Sequence, residues 1–290
     1  MAEHVPVLLE EVLTMLAVKQ DGKYIDATVG LGGHSEAILN QLGSVGRLLC
    51  LDRDSVALSR AVERLGNERV ILQKTAFADI AAVAAAREFS ECDGILFDLG
   101  VSMMQLKDHE RGFSFQSEHQ LDMRMDPDQE QSAWHLVNKT SEPELERILR
   151  EYGEEPFARR IARRIVAERR KASIDTCVQL ADVVFAVYGR RGKTHPATRT
   201  FQALRIAVNQ EMEQLQTGLA AAEGLLKKGG RLCVLSYHSL EDRIVKQFMR
   251  TSAREGRVLL LSKKPIAVSR QEMRRNPAAR SAKLRGCERL

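Results

Sequence analysis

With 290 residues, 44% of them hydrophobic and 29% charged, the chain has a globular composition and room for one large domain or a domain carrying an insertion. No window approaches the ~20 apolar residues of a membrane span, and Met1-Ala2-Glu3-His4 does not begin a signal-peptide pattern, so a cytoplasmic protein with no membrane partner is expected. Five cysteines, at 50, 92, 177, 233 and 287, include no C-x-x-C pair, which excludes a recognisable zinc motif or disulfide framework, and no metal is expected.

The first predicted strand, Lys23-Tyr24-Ile25-Asp26, runs into Ala27-Thr28-Val29-Gly30-Leu31-Gly32-Gly33-His34-Ser35. Ser35 opens a helical pattern through Ile38 and Leu39, and a second apolar run, Leu48-Leu49-Cys50-Leu51, ends at Asp52. Strand, glycine loop, helix, strand and carboxylate predict a site for a nucleoside-containing cofactor, with Asp52 spaced to accept from ribose hydroxyls. A dinucleotide fingerprint starting at Gly30 and Gly32 needs a third glycine where Ser35 stands. Asp26 also places a negative charge near where a pyrophosphate would lie. S-adenosylmethionine has no phosphate and carries a sulfonium and an ammonium, so it suits an acidic rim better. The plain alternative is a strand–turn–helix whose glycines serve packing.

The alternation continues through a helix from Val56 to Leu65, a strand at Val70-Ile71-Leu72, then Phe77, a helix from Ile80 to Phe89 and a strand from Gly94 to Leu99 that carries Asp98. The order β-α-β-α-β-α-β implies a doubly wound parallel sheet. From about Gln105 to Thr200 no strand pattern is found. Capping boxes at Ser141-Glu142-Pro143-Glu144 and Thr176-Cys177-Val178-Gln179 predict helices there, which reads as an all-helical insertion. One long helix is predicted from Phe201 to Leu226, stopped by Lys227-Lys228-Gly229-Gly230. Leu232–Ser236 is a fifth strand, and Val258–Leu261 with Ala282–Arg285 a terminal edge pair. Domain boundaries are thus expected at 1–105 with 206–290, and at 106–205.

Phe77, past the third strand, is placed to stack on an adenine or to pack in the core. Asp98, at the end of the fourth, lies where ligands of such sheets gather, although Asp is also a favoured helix cap.

Many longer segments then point one way. They include His4-Val5-Pro6-Val7-Leu8-Leu9, the glycine loop, Asp98-Leu99-Gly100-Val101-Ser102, Arg111-Gly112-Phe113-Ser114-Phe115 and Leu121-Asp122-Met123-Arg124-Met125-Asp126. Further along come Glu154-Glu155-Pro156-Phe157-Ala158, His195 through Arg205, His238-Ser239-Leu240-Glu241-Asp242-Arg243, Asn276-Pro277 and Arg280 through Arg285. Together they resemble the bacterial 16S rRNA (cytosine-N4)-methyltransferase family, known as MraW or RsmH, almost end to end. The resemblance implies an α/β class I S-adenosylmethionine-dependent methyltransferase, a Rossmann-like sheet with an inserted helical subdomain. It implies methylation of the exocyclic N4 of a cytosine in the decoding centre of 16S rRNA. By matching positions it implies cofactor contacts at Gly32, Gly33, His34, Asp52, Phe77, Asp98 and Gln105. Met103-Met104 stands where that family usually has Ser-Pro, and Tyr237 where it usually has Phe.

The chemistry is consistent with N4 as the target. Methylation at cytosine C5 needs a cysteine nucleophile, typically after proline, and no cysteine here follows one. N4 methylation needs positioning and a hydrogen-bond acceptor for the amine. Asp98 is the candidate, or it binds the cofactor's ammonium; Tyr237 and His238, with Phe113 and Phe115, are candidates for positioning the base.

Charge adds a partner. The net +5 is uneven: residues 241–290 hold 14 Lys/Arg against 5 Asp/Glu, a local +9 against −4 elsewhere. Arg190, Arg191, Lys193, Arg199, Arg280, Lys283 and Arg285 are the candidate RNA contacts. The run Arg159, Arg160, Arg163, Arg164, Arg169, Arg170, Lys171 is either a second contact or a solvated face paired with Glu154, Glu155 and Glu168. The expected partner is 16S rRNA within the small subunit or a late assembly intermediate, and a homo-oligomer remains open. Two other readings are a dinucleotide-dependent oxidoreductase, disfavoured by Ser35 and Asp26, and a non-enzymatic RNA-binding assembly factor with a vestigial cofactor site.

Overall fold

The computed structural model describes residues 6–190, 192 and 194–290. It divides into two compact units, 1–100 with 212–290, and 101–211. The boundaries expected at 105/106 and 205/206 fall inside helices of the second unit, and a helix is a cooperative element that does not divide there.

In the first unit the elements are α1 (Leu9–Leu16), β1 (Lys23–Asp26), α2 (Gly33–Gln41), β2 (Arg47–Asp52), α3 (Ser55–Leu65), β3 (Val70–Lys74), α4 (Ile80–Ala86) and β4 (Cys92–Asp98). The second unit supplies α5 (Met103–Lys107), α6 (Ala133–Lys139), α7 (Glu142–Gly153), α8 (Ala158–Arg169), α9 (Cys177–Tyr188) and α10 (Thr198–Asn209). The chain returns through α11 (Glu211–Leu225), β5 (Leu226–Ser236), α12 (Ser239–Arg254), β6 (Val258–Leu260), β7 (Ile266–Ala267), α13 (Arg270–Arg275) and β8 (Lys283–Arg289).

The sheet order is β3-β2-β1-β4-β5-β8-β6, with β7 also paired to β8. Strands β1 to β5 are mutually parallel and β8 is antiparallel to β5, β6 and β7. This is the expected Rossmann-like sheet. Its central strands read as continuous apolar runs because both faces are covered. On β2, Leu48 and Cys50 enter a core with Val12, Leu16, Ile38 and Leu65, while Leu49 and Leu51 enter another with Ile80, Leu219, Val245 and Met249. Strand β8 is not an edge strand, as the expected terminal pair implied, but lies between β5 and β6.

Among the described residues of the second unit there is no strand, only an isolated bridge between Gln120 and Thr176. Its core joins Leu145, Ile148 and Leu149 of α7 to Ile161 and Ile165 of α8, Leu180 and Val184 of α9, and Leu204 of α10. The Thr176 box forms as expected, with Thr176 accepting from Gln179 N and Gln179 Oε1 accepting from Thr176 N. Ser141 stands at the start of α7, but its side chain accepts no capping bond.

The long helix expected from Phe201 to Leu226 is instead two helices, α10 and α11. Gln210 adopts a left-handed φ of 50°. Buried Asn209 drives the break: its Oδ1 accepts from Met125 N at 2.8 Å, and its Nδ2 donates to Met123 O at 2.7 Å. These contacts come from more than eighty residues away, beyond the reach of local periodicity. The helix-stop signal Lys227-Lys228-Gly229-Gly230 is likewise strand. A Cβ on Gly230 would stand 2.6 Å from Cys92 O, so glycine lets β5 close against β4 beside a register shift.

Candidate functional site

Because β1, β2 and β4 are parallel neighbours, their C-terminal carboxylates Asp26, Asp52 and Asp98 gather at one edge of the sheet. The loop after β1 turns through Gly30 (φ +51°) and Gly32 (φ +80°), a backbone that L side chains seldom adopt. Gly33 serves a different need. A Cβ there would lie 2.5 Å from Pro6 Cγ, so the segment before α1 packs directly on the start of α2.

Asp52 closes the loop from the other side. Its Oδ2 accepts from Gly30 N and its Oδ1 from Asp54 N, each at 2.9 Å. Burial pushes the Asp52 carboxyl up to about 6, against those two N–H donors. A carboxylate has about four lone-pair positions, so two more donors can be taken. A ribose diol offers two.

Asp26 and Ser35 explain the missing third glycine. Asp26 is only 1% exposed, and its Oδ2 accepts from Ser35 Oγ at 2.6 Å while its Oδ1 accepts from Thr28 N at 3.1 Å. Burial raises the Asp26 carboxyl, and the Ser35 hydroxyl works against that rise. Asp26 therefore braces the loop internally.

Asp98 is held on both oxygens. The Tyr237 hydroxyl donates to Oδ1 at 2.7 Å, and His34 Nδ1 lies 3.4 Å from Oδ2. Its backbone N–H donates to Thr28 Oγ1 at 2.6 Å, which ties β4 to the glycine loop. The Asp98 side chain is 26% exposed, whereas His34 is buried. Burial works to lower the His34 basicity, but Asp98, Asp26 and the Val7 carbonyl outweigh it and raise it on balance. His34 Nε2 lies 3.0 Å from Val7 O, so with acceptors beside both ring nitrogens the imidazole is held towards its charged form. The Tyr237 hydroxyl, buried and beside Asp98, is pushed far above the usual phenol range. It is a donor, not a base.

The remaining expected residues divide. Phe77 is half-buried, packed edge-on against Phe97 at 5.6 Å between ring centres. His238 caps α12: its Nδ1 accepts from Glu241 N, while buried Glu241 accepts from Tyr237 N and His238 N. Gln105 belongs to the second unit, where it forms a capping box with Ser102 at the start of α5. Phe113 and Phe115 also lie in that unit, Phe113 in its core and Phe115 stacked on His195.

The basic candidates fare unevenly. Arg190 and Arg280 are exposed, and Arg191 and Lys193 lie outside the described residues. Arg199 donates to Glu154 O at 3.0 Å. Lys283 and Arg285 are already engaged, donating to opposite oxygens of Asp242 at 3.0 and 2.7 Å. Those two sit on β8 beside α12, where largely buried Arg285 binds the fold together, while the Lys283 side chain pairs with Asp242 yet stays partly exposed. On α8 the cations are similarly mixed. Arg169 donates to Val137 O and Thr140 O, and Arg164 pairs with Glu168, whereas Arg159 and Arg163 are exposed.

All five cysteines are buried with none of their surface exposed. Burial raises every thiol, Cys92, Cys177 and Cys287 to about 12. None supplies a thiolate nucleophile.

The donor set at the sheet edge fits S-adenosylmethionine. It offers a tethered carboxylate with spare acceptor positions, a half-buried aromatic ring and a second, partly exposed carboxylate. It does not fit a pyrophosphate, whose charge would meet three carboxylates. Sequence reasoning missed the parts played by Pro6, Val7 and Thr28. The quoted segment around Pro6 and Val7 was visible, but its packing partner was not.

Comparison with known proteins agrees. The model of the MraW methylase family matches residues 1–290. Ribosomal RNA small subunit methyltransferase H of Persephonella marina is 48% identical over 295 residues, covering 100% of both chains. The protein of that name from Methylococcus capsulatus is 49% identical over 297 residues, covering 97% of this chain and 99% of its own. A solved rRNA methylase from Streptococcus thermophilus aligns over 100% of this chain and 99% of its own at 11% identity, with a TM-score of 0.47, too distant to add weight. The chain belongs to the MraW methylase family.

Proposed function

We propose that this protein transfers the methyl group of S-adenosylmethionine to the exocyclic N4 of a cytosine in the decoding centre of 16S rRNA, giving N4-methylcytidine. The reading rests on membership of a methylase family whose relatives are named for small-subunit rRNA. The observation that carries it to chemistry is Asp98: a carboxylate anchored on both oxygens yet partly exposed, in a chain with no accessible thiol.

S-adenosylmethionine, when bound, supplies an electrophilic methyl group on a sulfonium. In this reading Gly32, Gly33 and His34 form its cradle, Asp52 takes the ribose hydroxyls and Phe77 the adenine face, with Gln105 as a further contact. The N4 lone pair is delocalised into the cytosine ring, so the protein's task is orientation and acceptance of N–H hydrogen bonds. The free lone pairs of Asp98 perform that acceptance, and the proton that N4 must lose passes towards them. Tyr237 and His34 fix the carboxylate, while His238 fixes the turn that carries Tyr237. Arg190, Arg199 and Arg280 are candidates to hold the RNA backbone. N4 is paired within a helix, so the target base must be unpaired or flipped out.

Mass spectrometry of nucleosides from small-subunit rRNA, with and without this protein, tests the reading. N4-methylcytidine should vanish in its absence. Unchanged N4-methylcytidine would exclude this activity.

A further inference from the structure

We propose that the outward face of α12, together with the trough between it and β6, is a docking track for the phosphate backbone of RNA. The proposal rests on the methyltransferase reading above and locates where that RNA is gripped. Arg243, Lys246, Arg250 and Arg254 line a trough of about 660 Å³ with Gln247 and Leu260. All four cations are exposed. They recur at spacings of three, four and four, so they share one face of the helix and span ~16 Å along it.

A solvated helix face is the ordinary explanation for exposed charge, but such faces normally mix signs. Elsewhere in this chain they do. On α7, Arg147 pairs with Glu144 and Glu151, and Arg150 with Glu146; on α8, Arg164 pairs with Glu168. From Arg243 to Arg254 there is no Asp or Glu at all. Among the described residues no ion pair engages Lys246, Arg250 or Arg254. Those three stand at i, i+4, i+8, a like-charge arrangement that destabilises an isolated helix. A phosphate backbone removes that repulsion.

Within the basic terminal segment the cations differ in use: Lys283 and Arg285 are engaged by Asp242, whereas Arg243, Lys246, Arg250 and Arg254 lie exposed along α12. A membrane surface is the less suitable partner. An interfacial helix must offer an apolar face to the bilayer. Here Val245 and Met249 are buried in the core, with Ile244 and Phe248 packed beside them.

The test is binding of deproteinised small-subunit rRNA across a salt series, using the full-length protein and the triple variant K246A/R250A/R254A. The slope of log affinity against log salt should fall by about two to three, and affinity should drop at least roughly tenfold at low salt. Melting temperature and S-adenosylmethionine affinity should stay as in the wild type. The triple glutamine variant, which keeps side-chain length, should behave alike. Wild-type binding with an unchanged slope in both variants overturns the proposal and leaves the methyltransferase reading standing. A wild type that neither binds nor methylates small-subunit RNA overturns both. Charge-dependent binding to vesicles rich in phosphatidylserine, lost in the variants while RNA binding persists, also overturns it.

Discussion

The hydroxyl of Tyr237 donates to Asp98 Oδ1 at 2.7 Å across 139 residues of sequence. It fixes the carboxylate without blocking its other lone pairs. Its ring also lies against Gly100, where a Cβ would stand 3.4 Å from Tyr237 Cδ2. Replacing Tyr237 by Phe keeps that packing and removes only the donor. A hydrogen bond to a charged group contributes ~1.5–3 kcal/mol, so turnover should fall by about tenfold to a hundredfold. S-adenosylmethionine affinity should change little. Asp98→Asn, which removes the charge and retains the shape, should cost orders of magnitude in turnover with a small change in melting temperature. Near-normal turnover in Asp98→Asn would reduce Asp98 to a structural role.

Asp52 gives the cofactor step a pH dependence. Its carboxyl is pushed up to about 6 before any ligand is bound. Hydroxyl donors from a ribose favour the ionised form, so binding should lower that value and release protons. S-adenosylmethionine affinity should therefore rise with pH through about 6 and level off above it. Asp52→Asn should bind at least roughly tenfold more weakly, with a flat profile. Calorimetry in buffers of different ionisation enthalpy counts the protons. Wild-type affinity independent of pH across that range sinks the assignment.

The Asp242 cluster behaves with the opposite sign. Burial works to raise the Asp242 carboxyl, but Arg285 and Lys283 outweigh it and hold it below the ordinary range. Its contribution to stability is fully present above about pH 4 and is lost as pH falls through the depressed folded value. Arg285→Ala should destabilise the protein by about 1–3 kcal/mol at neutral pH, and by less in acid. The salt slope of RNA binding should not move. Urea denaturation at two pH values, beside the binding series, separates a structural Arg285 from an RNA contact. A reduced salt slope with unchanged stability would restore the RNA role.

The division between what was legible and what was not follows the range of the interactions. Strands β1, β2 and β4 were readable because burial on both faces makes a strand continuously apolar. Their terminal aspartates and the glycine loop were readable because spacing along one chain defines them. The break at Asn209 was not, because its cause is the backbone at Met123 and Met125. The terminal charge count was visible, but not which cations were neutralised. Arg285 and Arg250 look alike in sequence; only the fold puts Asp242 beside the first, while among the described residues no ion pair engages the second. In sequence Ser35 stands only as an absent glycine; its use as a hydroxyl donor to Asp26 depends on the buried geometry of the loop.

Exposed cations occur in both units: Arg159 and Arg163 on α8, and Lys246, Arg250 and Arg254 on α12. Phosphate contacts fix register and a few base contacts specify, so scattered cations favour an extended, folded RNA over a short strand. A single-stranded oligonucleotide carrying the proposed target cytosine would reach Asp98 with few of those contacts. It would also have to order itself on binding, which costs affinity. A small-subunit particle or assembly intermediate presents the backbone already arranged. Methyl transfer should therefore be efficient on the particle and low on the oligonucleotide. The triple substitution on α12 should lower activity on the particle far more than on the oligonucleotide. Labelled S-adenosylmethionine and both substrates in parallel make the measurement. Equal rates on the two would mean that the cations outside the sheet edge have no part in recognising the substrate.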